Sequence, residues 1–287
     1  MSKAGWGRFL LLGLLWGMPY LFLKVAVEEI SPSVIVFSRV LIGGLICLPI
    51  ALKGNKLKVA SKYWPFLILY SITEMIGPWY LITHAEKEIT SGLTGLLVAT
   101  VPIWSAILAS IFGDHTVWHK GRLFGLVIGF IGVVFVVGVE SLGGNQDILS
   151  IGMVILAAIG YAYAINMINR RIPHVPGIAI NTWAMIITSI VYLPFAIRNW
   201  PSKTPSLEAV GSVIALGVFC TAIAFIYFFK LIAEVGPPRA SLITYLNTAV
   251  AVLLGVVLLS EPITLGIAIG LPLVLIGSYF ASRKVTR

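Results

Sequence analysis

Residues 32–52 read PSVIVFSRVLIGGLICLPIAL and residues 178–198 read IAINTWAMIITSIVYLPFAIR, two apolar runs of membrane-crossing length that end on the same short phrase. About 20 apolar residues in a helix cover a hydrocarbon core of roughly 30 Å, so each run is long enough to span a bilayer. The shared phrase is Leu48-Pro49-Ile50-Ala51-Leu52-Lys53 against Leu193-Pro194-Phe195-Ala196-Ile197-Arg198, a displacement of about 145 residues. All six positions agree in character. At nearly the same displacement Gly17 meets Gly160, Pro32 meets Pro176, Gly125 meets Gly270 and Gly132 meets Gly277.

Working outward from these runs, the chain breaks at its polar and Pro/Gly punctuation into spans near 6–24, 32–52, 63–83, 91–112, 120–138, 148–168, 178–198, 208–230, 239–259 and 264–282. The composition agrees: 59% of the 287 residues are hydrophobic and only 11% charged, which excludes an ordinary soluble domain and leaves only short loops and tails between spans. The expected fold is an all-α integral membrane protein of ten transmembrane helices. Each half carries five, an odd number, so the second copy is expected upside down relative to the first: residues 1–143 as the first repeat, 144–287 as the second, inverted repeat.

The net charge of +9 is unevenly spread. With the N-terminus inside, cytoplasmic segments hold 15 of the 20 Lys and Arg residues and the opposite loops hold Lys24, Lys87, Arg198 and Lys203. The positive-inside rule therefore places both termini in the cytoplasm of a bacterial-type inner membrane, and the charge is a topology signal with no call for nucleic acid. The first run lacks an Ala-x-Ala cleavage site and reads as a retained helix. Cys47 and Cys220 lie inside apolar runs and read as packed thiols.

Arg39 lies about 10 Å deep in the second span, and Glu74 about 14 Å from the outer end of the third, at 1.5 Å per residue. Each costs roughly 2.5–3.5 kcal/mol at mid-helix on insertion scales, so each needs a partner or a water-filled cavity. Two readings follow. They pair with each other and fix two helices, or they line the pathway, with Arg39 facing a substrate carboxylate and Glu74 facing an amine or taking a proton. Trp16, Trp104, Tyr163, Tyr245 and Asn247 fall at comparable depth and complete the candidate substrate site. Trp79 and Tyr80 read as an interfacial belt. Ser241, Thr244 and Thr248 form a polar stripe with Asn247 beside it. Gly121, Gly125 and Gly129 repeat every four residues, the pattern of close helix packing, with a homodimer seam as second reading. No metal set, H-E-x-x-H, G-x-S-x-G or Walker loop occurs, so neither enzyme activity, a metal nor a cofactor is expected.

Trp16-Gly17, Pro32 with Phe37-Ser38-Arg39, Pro102 followed by Asp114, Gly125 with Gly132, and then Glu261 with Gly270 and Gly277 together resemble the EamA-type branch of the drug/metabolite transporter superfamily, over essentially the whole chain. Asp114 stands where that pattern more usually has glutamate, and Thr248 where a proline's counterpart is expected. The resemblance implies a ten-helix secondary transporter, typically exporting amino acids or related metabolites by alternating access, in some members drugs or other organic solutes. A passive facilitator and a membrane sensor that binds without transporting are the other readings.

Overall fold

The computed structural model describes residues 2–113, 119–142, 147–235, 240 and 243–282, with side chains 122, 133–134, 136–142, 235, 245, 278 and 281–282 outside that description. The described residues are all-helical. Seven helices are long and apolar enough to cross a membrane: α1 (Lys3–Ala26), the run Pro32–Ser61 that contains α2 (Pro32–Leu52), α3 (Trp64–Ala85), α4 (Ser91–Ile111), α6 (Ile148–Arg171), α7 (Gly177–Arg198) and α8 (Leu207–Glu234). Three more, α5 (Lys120–Leu142), α9 (Ile243–Leu259) and α10 (Leu265–Ser282), carry shorter apolar stretches.

Local chemistry sets most of the ends. Ser2 caps α1, its hydroxyl accepting from Gly5 N–H at 2.9 Å. Asp147 caps α6 by accepting from the amides of Leu149 and Ser150 at 3.3 and 3.0 Å, and these contacts, with the Ser150 hydroxyl first among them, hold its carboxyl below the usual range. Pro32 and Pro65 occupy first-turn positions, where the missing N–H is no loss. Pro19 and Pro102 instead fall within the long runs of α1 and α4, and both helices break just before them, at Met18 and at Ala99–Thr100. After α2 the chain turns through Gly54 and Asn55, at φ 73° and 57°, into the short helix Lys56–Ser61.

Two helices also carry a π-helical turn, Ser71–Ile76 in α3 and Val218–Ile223 in α8. The two are in register at a displacement of 147 residues, and each closes on an i−5 bond, Gly77 N–H to Ile72 O and Ala224 N–H to Phe219 O. Isolated π-turns inside α-helices often mark functional sites.

Packing follows one rule. α1 lies on α8 and α9, and α6 lies on α3 and α4, so adding five to each helix number exchanges these pairs; α2 with α7, α4 with α9 and α5 with α10 map onto themselves. The α5–α10 crossing is closest because it is made of glycine: a Cβ on Gly277 would fall 2.7 Å from Gly125 O and inside contact of the Gly129 backbone. Gly125 and Gly129 thus serve internal packing, whereas a Cβ on Gly121 would meet only its neighbour His119, at 3.8 Å. Gly43 and Gly217 do the same between α2 and α8, meeting Thr221 and Ile42 respectively.

Contacts at the helix ends fix their directions. At one end, Ser206 donates from N–H and hydroxyl to the Glu29 carboxylate, holding its carboxyl below the usual range. There too Ser31 reaches Asn199 O at 3.2 Å, and Glu261 accepts from Ser91 and Gly92. At the opposite end Arg8 pairs with Glu234 at 2.6 Å, Tyr63 meets His174 at 2.8 Å and Arg170 donates to Phe112 O at 2.6 Å. The lateral surface is apolar, with Leu45, Ile111, Phe130, Ile190, Leu253 and Val257 exposed, a coat suited to hydrocarbon and not to water.

Candidate substrate site

Arg39 sits on the inward face of α2 and is only 8% exposed. Its guanidinium carbon lies 3.8 Å from the ring centroid of Trp79 on α3, a cation–π stack in a dry setting. Its Nε donates to Thr221 Oγ1 at 2.9 Å, and the Thr221 hydroxyl, in the π-turn of α8, donates in turn to Leu216 O at 2.8 Å. Among the described residues no carboxylate lies within ion-pair distance of Arg39. The hydroxyls of Tyr20 and Tyr161 and the Cys220 thiol stand within electrostatic reach.

Glu74 occupies the matching place in the π-turn of α3: 147 residues separate it from Thr221, as they separate the two turns. Its Oε2 is sealed from solvent and makes no hydrogen bond. Tyr70 and Tyr161 are its electrostatic neighbours, and Tyr70 is itself engaged, donating to Asn181 Oδ1 on α7 at 3.1 Å. Tyr161 on α6 therefore senses both charges, while the direct Arg39–Glu74 pair that equal depth allowed is not formed. The two halves have filled equivalent positions differently. The π-turn of the first half carries the acid Glu74, and that of the second carries Thr221, which accepts from Arg39 of the first half.

The remaining predicted residues spread around this centre. Trp16 is half-buried on α1, edge-on to Phe225 (5.7 Å between centroids) and tilted on Phe228 (4.7 Å), in the same side-chain cluster as Trp79, Tyr70, Tyr161 and Tyr163. Tyr163 also tilts against Phe112 at 6.1 Å. Trp104 lies in the Pro102 half of α4 and donates from Nε1 to Thr100 Oγ1 at 3.0 Å. Asn247 is half-buried on α9, which approaches α1 so closely that a Cβ on Gly17 would fall 2.8 Å from Asn247 O. Thr248 donates to Thr244 O at 2.8 Å, so part of the polar stripe is turned back on its own helix. The Tyr245 side chain, Ser241 and Asp114 lie outside the described residues.

Trp79 was read from sequence as interfacial belt, and Thr221, Tyr161 and the Tyr70–Asn181 pair were not singled out. Trp79 is 5% exposed beneath Arg39, a buried wall and not an interfacial residue. Thr221 was not legible at the displacement of about 145 residues read from sequence, which carries Glu74 onto Phe219; only the matched π-turns, 147 residues apart, bring it into register. A groove of about 220 Å³ between α3 and α7, bordered by Trp64, Ile68, Trp183 and Ile190, is bordered by none of the predicted site residues.

The family model described as "EamA-like transporter family" matches residues 5–138 and again 148–283. The chain belongs to the EamA-like transporter family. Its relatives include the uncharacterized transporter YoaV of Bacillus subtilis (strain 168), 26% identical over 281 residues that cover 95% of this chain and 96% of that one. An uncharacterized inner membrane transporter, YedA of Escherichia coli (strain K12), is 25% identical over 97% of this chain and 92% of its own length. A protein of known crystal structure shares the fold at a TM-score of 0.69 with 20% identity, covering 98% of each chain. This EamA-family protein is accordingly a multi-pass membrane protein of a transporter family in which the domain is duplicated.

Proposed function

We propose that the transporter exports amino acids or related zwitterionic metabolites by alternating access, with Arg39 facing the substrate carboxylate and Glu74 the substrate amine. One observation carries this reading: two opposite charges are held inside the bundle, both within electrostatic reach of Tyr161 and neither with an ion-pair partner among the described residues. An unpaired buried charge is costly, and a ligand of the opposite sign at each would recover that cost. Of the five N–H donors of the guanidinium, the Nε donor is spent on Thr221 and the planar fork remains for a carboxylate. Trp16, Tyr163, Phe225 and Phe228 supply aromatic walls, and Trp104 and Asn247 border the path.

The frame is ten spans in two inverted halves, 1–143 and 144–287, with the Arg8 end in the cytoplasm. The exchange of helix pairs on adding five, the opposite running directions of equivalent helices and the matched π-turns support it. Rocking of the halves exposes the site to one side at a time, with bending at the π-turns and at Pro19, Pro78 and Pro102. Proton coupling enters through Glu74, which accepts a proton when the amine leaves.

The test is counterflow of labelled amino acids, nucleobases and cationic drugs in proteoliposomes, with and without a pH gradient. Glu74→Gln is expected to abolish gradient dependence and to lower movement of zwitterions about tenfold, as loss of one charge-assisted contact would. Gradient-driven transport at the wild-type level in that variant would remove Glu74 from the mechanism. Movement that ignores the gradient in the native protein would make it a facilitator, selective uptake of cationic drugs a drug exporter, and binding without any flux a sensor.

A further inference from the structure

Glu86 follows α3 directly, at the end of the bundle where Glu261 meets α4. It is 0% exposed, and neither carboxylate oxygen makes a hydrogen bond. A cation is close by, and Lys24 spends two of its three N–H donors on the backbone oxygens of Glu86 and Ile89, at 2.7 and 3.0 Å, without forming an ion pair with the Glu86 carboxylate. Across from it stands a second carboxylate, Glu261, held by the Ser91 amide and hydroxyl and the Gly92 amide at 2.8, 3.0 and 3.0 Å. The other groups facing Glu86 are Tyr20 on α1 and Thr94 on α4, whose hydroxyl goes to Thr90 O at 3.0 Å. His84, two residues earlier, stacks on Tyr80 at 5.9 Å.

An Ala-Glu step recurs in the last turn of the equivalent helix as Ala233-Glu234, and there the acid is partly exposed and ion-paired with Arg8. The fold therefore has a way to pair an acid at this position, and Glu86 does not use it. Ionised in place, Glu86 would be a buried anion with no hydrogen bond and a second anion across from it, a cost that the nearby Lys24 offsets only in part. Protonated, it is a neutral side chain under a closed loop.

We propose that Glu86 is a proton-binding site on the face opposite the Arg8 end, and that its proton latches the contact between the α3–α4 loop and the α9–α10 loop. Protonation forms one carboxyl O–H from an external proton and removes one negative charge. Loss of that proton restores the charge, sets Glu86 against Glu261 and requires water to enter, so the two loops part. Burial, reinforced by Glu261 and opposed by Lys24, holds the Glu86 carboxyl well above the usual range, so the closed contact is present at low pH and is given up as pH rises through that value. The latch serves as the gate of the transport cycle proposed above, but its chemistry is independent of what is carried.

The experiment is a spin–spin distance measurement in nanodiscs between labels at Lys87→Cys and Ile263→Cys, with Cys47 and Cys220 replaced by alanine, from about pH 5 to about pH 9. The distribution is expected to move from short to long as pH rises. That step should be lost, with the short distance kept throughout, in Glu86→Gln and in Glu86→Ala, and retained in His84→Gln. A pH step that survives both Glu86 variants, one that disappears with His84→Gln, or none in the native background overturns the proposal. Because the readout needs no substrate, a pH step without any measurable flux would sink the transport reading and leave the latch standing.

Discussion

Arg39→Ala is expected to reduce transport of carboxylate-bearing substrates about 10- to 100-fold, the loss of a charge-assisted hydrogen bond of roughly 1.5–3 kcal/mol. Arg39→Lys should recover little of it. Lysine keeps the charge but has neither the plane that lies 3.8 Å over Trp79 nor the Nε that donates to Thr221. The effect on folding runs the other way. Thr221 stays satisfied through Leu216 O, and replacing an unpaired buried charge by an apolar chain of similar length is often neutral or stabilising, so Arg39→Met should match or exceed the native melting temperature while losing transport. Initial rates in proteoliposomes and thermal unfolding in detergent, on the same preparations, check both signs. Native-level uptake of carboxylates by Arg39→Met would show that the guanidinium does not touch the substrate.

The largest effect on stability is expected at Gly277. A methyl group there would meet only backbone, the N and Cα of Gly129 and the carbonyl of Gly125 at 2.7 Å, so no side chain can swing aside and α5 and α10 must separate. Overpacking of this kind costs about 1–3 kcal/mol and more where the neighbour cannot yield. Gly277→Ala should therefore lower the melting temperature clearly. Gly152 is the control: a Cβ there finds no atom within 4 Å, so Gly152→Ala should raise stability by up to about 1 kcal/mol through helix propensity alone. Equal melting temperatures for the two variants would contradict the glycine-packed crossing.

Both predictions rest on residues that sequence marked unequally. Arg39 and Glu74 stood out because an ionised side chain in an apolar run is expensive wherever the helix turns. Gly125, Gly129 and Gly277 stood out by spacing and by recurrence between the halves. Trp79 was misread, since a tryptophan near a span end serves an interface or a core equally well, and only the rotation of α3 decides which. The π-turns left no readable mark, because one extra residue in a helical turn does not alter an already apolar pattern. Glu86 was not singled out, since it falls between the third and fourth spans, where a charge costs nothing in sequence terms.

What the chain determined by itself was its solvent and its repetition: 59% hydrophobic residues require lipid, and the phrase at Leu48–Lys53 returning at Leu193–Arg198 requires two copies of one plan. Tertiary structure alone decided which charges meet. Arg39 and Glu74 lie at similar depth on different helices within electrostatic reach of Tyr161, and the Glu86 carboxylate is buried without a hydrogen bond although Lys24 donates to the backbone oxygen of the same residue. Depth is additive along a helix and can be counted residue by residue. Azimuth depends on every helix packed around it, and on the one-residue offset that each π-turn inserts.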